Sequence, residues 1–66
     1  MRATVNGETV DLPEGLTVAA LLARMGVTAD RVAVERNGVV VKKAKHRTEG
    51  LNDGDVLEIV TFVGGG

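Results

Sequence analysis

Asn52-Asp53-Gly54-Asp55-Val56-Leu57-Glu58-Ile59-Val60-Thr61-Phe62-Val63-Gly64-Gly65-Gly66 decides the fold of this chain. Its first four residues are a turn cluster, since Asn, Asp and Gly tolerate the backbone angles that reverse a chain. Val56 to Phe62 is the longest continuous strand signal in the sequence. Alternation sets Leu57, Ile59 and Thr61 on one face and Val56, Glu58, Val60 and Phe62 on the other. The first set can face a helix. Val60 and Phe62 then lie on the far side, either as a binding patch or covered by loop residues around Leu51.

Working back from that strand, Lys42 to Gly50 is polar and basic, a loop with room for one helical turn and with Leu51 as its anchor in the core. Before it, Val32-Ala33-Val34-Glu35-Arg36 is β-branched and alternating, and Asn37-Gly38 turns it into Val39-Val40-Val41 as a hairpin. Arg2 to Leu12 forms a first hairpin around Asn6-Gly7, with Ala3, Val5, Val10 and Leu12 on the buried face. Pro13-Glu14-Gly15 breaks the second strand, Thr17 stands at a helix N-cap, and Val18, Leu21, Leu22 and Met25 form one apolar stripe that Gly26 terminates. A helix this short needs a sheet beneath its stripe, so Met25 is expected in the core with the leucines. The order is two strands, a helix, two strands, a loop and a last strand. It suits a mixed sheet of four to five strands with one main helix across it, an α+β class. The long crossover also permits the last strand a parallel neighbour. No repeat or linker divides residues 1–63, and 64–66 form a flexible glycine tail.

Composition removes several functions. A chain of 66 residues hides too little surface for a deep private active site. Eight Lys and Arg against nine Asp and Glu create no field for a polyanion, and Phe62 is the single aromatic, so nucleic acid is not an expected partner. No apolar run is long enough to span a bilayer and the N-terminus does not read as a signal peptide, which leads us to expect a cytoplasmic protein with no membrane partner. Without Cys there is no disulfide, thiolate metal site or cysteine nucleophile. No Walker loop, metal-ligand cluster or nucleophile–base pair is present, so the chain is expected to bind no cofactor or metal and to have no catalytic residue.

The terminal glycines are the informative feature. They cannot pack, and at roughly 3.3–3.6 Å per residue they would carry the last carboxylate about 10 Å past the sheet. A frayed terminus would have the same composition. Val5-Asn6-Gly7-Glu8, Val32-Ala33-Val34-Glu35 with Asn37-Gly38, and Asp53 to Val60 leading to Phe62-Val63-Gly64-Gly65-Gly66 together resemble the ThiS family, nearly end to end. The basic run Lys42-Lys43-Ala44-Lys45-His46-Arg47 departs from that pattern, where a proline and a more hydrophobic loop are expected.

The resemblance implies a β-grasp, ubiquitin-like fold and a sulfur carrier for the thiazole of thiamine. Gly66 would be the point of covalent attachment. A ThiF-like adenylating enzyme would use ATP and Mg to join AMP to it, sulfur from a persulfide donor would replace AMP as a thiocarboxylate, and a ThiG-like thiazole synthase would consume that sulfur. Gly64 and Gly65 would thread the partner's channel, and Val60, Phe62 and Val63 would dock. The carrier would be a co-substrate rather than an enzyme.

Other functions fit the same sequence. These are a sulfur carrier for molybdopterin or another product, a ubiquitin-like modifier joined to lysines through Gly66, and a binding module with an inert tail. Of the remaining polar residues, His46 sits in the basic run and is expected in solvent without a role. Asp53 and Asp55 are expected to serve the turn rather than a metal.

Overall fold

The computed structural model describes residues 1–62. The expected attachment, threading and docking positions Val63, Gly64, Gly65 and Gly66 lie outside the described residues.

The strands are β1 (Arg2–Val5), β2 (Glu8–Asp11), β3 (Val32–Arg36), β4 (Val39–Val40) and β5 (Val56–Thr61), with the helix α1 (Val18–Met25) between β2 and β3. Short 3-10 turns occupy Ala29–Arg31 and Lys43–Lys45. The sheet order is β2-β1-β5-β3-β4, so the last strand in sequence is the central strand in space. β1 and β5 run parallel, and the other neighbours are antiparallel.

Local chemistry explains each element. Both Asn-Gly turns have Asn in the left-handed region, Asn6 at φ 51° and Asn37 at φ 53°, as a two-residue hairpin turn of this kind requires. Thr17 caps α1 by accepting the Ala20 N–H at 3.2 Å. Gly26, at φ 74°, ends the helix in a Schellman arrangement, with Gly26 N–H donating to Ala23 O and Val27 N–H to Leu22 O. Val18, Leu21 and Leu22 meet Ala3, Val5, Val34, Leu57 and Ile59 in one aliphatic core, and Leu51 enters it from the loop as expected.

Three details differ from the sequence reading. Met25 is 40% exposed, because the last turn of α1 overhangs the open edge beside β2 instead of the sheet centre. Thr61 is exposed although Leu57 and Ile59 on its face are buried. His46 is not in solvent: it is only 4% exposed. The cause is the helix end, whose first N–H groups have no partner within the helix. Ala19 N–H donates to His46 O at 2.8 Å and Val18 N–H to Glu49 O at 3.0 Å, which pulls the basic loop onto α1 and its imidazole inward. His46 Nε2 then donates to Val41 O at 3.0 Å, which fixes the tautomer, since a carbonyl only accepts. Nδ1 is buried without a hydrogen-bond partner among the described residues.

Candidate functional site

The site is built on β5. Its first half is gripped from both sides. On one side β1 pairs Thr4 with Val56 and Val5 with Leu57, and Asn6 N–H donates to Leu57 O at 2.9 Å. There β1 turns away, but the Asn6 side chain continues the ladder by one residue. Its Oδ1 accepts the Ile59 N–H at 2.7 Å and its Nδ2 donates to Ile59 O at 3.3 Å. The amide thus imitates a peptide group.

On the other side Asn37 does the same at the strand's start. Its N–H donates to Val56 O at 2.7 Å, and its Oδ1 accepts the Val56 N–H at 2.9 Å. Its Nδ2 donates to Asp55 Oδ1 at 3.0 Å. Asp55, 6% exposed, also accepts from Arg36 Nε at 2.9 Å and from Asn52 N–H at 2.8 Å. Burial pushes its pKa up, but the Asn52 N–H, the Asn37 amide and the Arg36 guanidinium outweigh that and hold it below the ordinary aspartate value. Arg36 reaches onward to Glu49 at 2.8 Å, which ties the loop to the same centre. Asp53 accepts the Arg2 N–H. Asp55 thus serves the turn through the Asn52 N–H, whereas Asp53 ties the turn to the start of β1; no group of three or more candidate metal ligands occurs among the described residues.

Beyond Ile59, the described residues give β5 a neighbour on one side only. Val60 and Thr61 pair with Ala33 and Val32 of β3, and Phe62 N–H donates to Arg31 O at 2.7 Å. Val60 is 56% exposed and Phe62 53% exposed, so loop residues around Leu51 do not cover them. Val56 and Val40 are exposed on the same face. Between these apolar groups Glu35 and Glu58 stand directly opposite each other, both exposed. Like charges facing across a strand pair oppose folding, so this placement is a cost to the isolated domain that a cation on a docked partner would relieve.

The candidate site is therefore the outer face of β5 with its projecting end. Of the sequence-predicted residues, Val60 and Phe62 come together on it. Sequence reasoning missed Asn6, Asn37 and Asp55 as clamps. The Asn-Gly pairs marked the turns, but only the crossover, which places β5 between both hairpins, gives their side chains a partner. No helix among the described residues is long and apolar enough to cross a membrane.

The model of the ThiS family matches residues 1–66. The crystal structure of the thiamine biosynthesis protein ThiS from Geobacter metallireducens superposes with a TM-score of 0.85 at 38% identity, covering 100% of both chains. The five-stranded mixed sheet with one helix is accordingly a β-grasp fold. The sulfur carrier protein ThiS of Bacillus subtilis is 44% identical over 50 residues, 76% of each chain. A thiazole synthase of Paramagnetospirillum magneticum is 47% identical over all 66 residues. The chain spans only 20% of the length of that protein and of a second thiazole synthase, from Magnetococcus marinus.

Proposed function

The chain belongs to the ThiS family, and on that premise we propose that it is a sulfur carrier of thiamine biosynthesis, loaded at Gly66 and read by partners that dock on the outer face of β5. The observation that carries this reading is the pairing of a β-grasp domain with a glycine tail immediately after its central strand.

With Gly66 as a free C-terminus, its carboxylate attacks the α-phosphorus of ATP held by an adenylating enzyme, and pyrophosphate leaves. The acyl adenylate is open to sulfur, which bonds to the carbonyl carbon as AMP departs carrying one former carboxylate oxygen. That sulfur is the terminal atom of a persulfide, which attacks to give an acyl disulfide; a second thiol on the donor side then attacks the inner sulfur, leaving a disulfide and freeing the thiocarboxylate from which thiazole synthase takes sulfur. ATP and Mg belong to the adenylating enzyme, and this chain acts as co-substrate in the cytoplasm. Glycines at 64 and 65 let the tail enter a narrow channel, where any side chain would crowd the reacting carbonyl. The similarity of the whole chain to part of two proteins named thiazole synthase supports that enzyme as the acceptor.

Docking follows from the face. Val56, Val60 and Phe62 offer apolar area, while Glu35 and Glu58 select a partner whose surface is apolar and basic. We assign Val63, which lies outside the described residues, to docking as well. The test is sulfur loading of the Gly65→Val chain and of a chain lacking Gly66, by an adenylating enzyme active on the parent chain. We expect both to remain folded and neither to be loaded; full loading of either overturns the reading.

A further inference from the structure

The proposed sulfur chemistry assigns no role to the basic run 42–47, yet its Lys42 and Lys45 line a groove of ≈ 510 Å³ along the free edge of β4. Val39, Val40 and Val41 make the apolar wall, and Lys42, Lys45 and Glu49 make the polar one. Two features give this groove a direction of preference. First, its charge is not balanced. Glu49 is paired with Arg36, and Lys43 is paired with Asp30. Lys42 and Lys45 are exposed and have no acidic partner among the described residues. Second, the strand edge is open. Arg36 lies opposite Val39, and Val41 N–H donates to Val34 O at 2.8 Å. By the alternation of an antiparallel ladder, the N–H and C=O of Val40 then point away from β3.

We infer that this groove takes an extended peptide segment of a partner protein, acidic and apolar in alternation, added edge-on to β4. Its backbone pairs with the N–H and C=O of Val40, as in strand addition generally. Its apolar side chains lie on the outer face beside Val40, which is 62% exposed, and its carboxylates, on the other face of the added strand, meet Lys42 and Lys45. A second copy of this chain is a poor occupant, because edge pairing would bring lysines against lysines. Val40 also lies on the outer face opposite Glu35, so a segment here sits beside a partner docked on β5.

The experiment is a titration of the full isotope-labelled chain, followed by amide NMR, with a short synthetic peptide alternating Glu and Val. The control is a peptide alternating Lys and Val. Saturable shifts at Val40 and Lys42 with the acidic peptide, slowed exchange of the Val40 N–H, and weakening by added salt are expected. The Lys42→Glu/Lys45→Glu double variant, altered only at exposed side chains, should bind about tenfold more weakly or worse. Equal binding of both peptides overturns the inference, as does the absence of saturation. Shifts centred on Val56, Val60 and Phe62 with Val40 unmoved do so too. The test uses neither ATP nor sulfur, so its failure and a failure of sulfur loading are separate results.

Discussion

The two halves of β5 are the same strand with opposite circumstances. From Val56 to Ile59 it is bonded on both sides, with Asn37 holding its start and Asn6 its middle, and Leu57 is fully buried. From Val60 to Phe62 its bonds among the described residues run to one side, to β3 and to the Arg31 carbonyl just before it, and its Val60 and Phe62 side chains are exposed. The first half is built for stability and the second for presentation. Sequence hydrophobicity barely distinguishes them; the difference comes from β1, whose last paired residue, Val5, lies opposite Leu57, four residues short of the end of β5 at Thr61.

If that division is correct, substitutions in the first half cost stability and those in the second cost binding. The largest effect is expected at Asp55. Asp55→Ala leaves the Arg36 guanidinium, the Asn37 amide and the Asn52 N–H without their shared acceptor, and should lower unfolding free energy by about 3 kcal/mol in chemical denaturation. A loss no greater than that of a typical surface substitution would break the comparison at its base.

Acid sharpens the same point. The folded pKa of Asp55 is depressed, so its contribution is fully present above the ordinary aspartate value and drains away as pH falls below it toward the lowered folded value. Denaturation midpoints measured down through that window should fall for the parent chain. They should fall less steeply for Asp55→Ala, which has no such proton to take up. Parallel profiles would remove Asp55 from the account.

Asn6→Ala deletes the two side-chain bonds to Ile59 and should cost about 1–2 kcal/mol. Amide exchange in that variant should accelerate first at Ile59, where the ladder loses its substitute peptide group. Smallest in stability is Phe62→Asp. With the ring half in solvent, its denaturation curve should stay within about 0.5 kcal/mol of the parent, while binding to thiazole synthase or to the adenylating enzyme is lost. Unfolding of this variant would assign Phe62 to the core instead.

Much of this arrangement was legible in advance, for reasons tied to particular residues. Asn6-Gly7 and Asn37-Gly38 announce their turns because few other dipeptides accept those angles, and the Val18, Leu21, Leu22 stripe announces its helix by spacing. The element order also allowed β5 a parallel neighbour. What could not be read is whatever depends on distant partners. His46 looks like one more polar residue in a basic loop until the unpaired N–H groups of α1 draw that loop inward. Met25 belongs to the stripe by periodicity and leaves it because the sheet ends beneath the last turn. Val39-Val40-Val41 reads as a strand of three, but the chain departs at Val41, whose carbonyl goes to His46. The tail was legible only through family resemblance, since glycines in series look alike whether they work or fray.

The most direct test of the central claim is the intact mass of the chain after incubation with an adenylating enzyme, ATP and a sulfur source. The account predicts one oxygen exchanged for sulfur. Oxidation of Met1 or Met25 adds nearly the same mass, so fragmentation must place the change at Gly66 and a thiol-directed alkylator must trap it. A trapped change at Gly66 is the predicted result. An unmodified Gly66, with an enzyme proven active on another carrier, would contradict the account and leave a β-grasp binding module in its place.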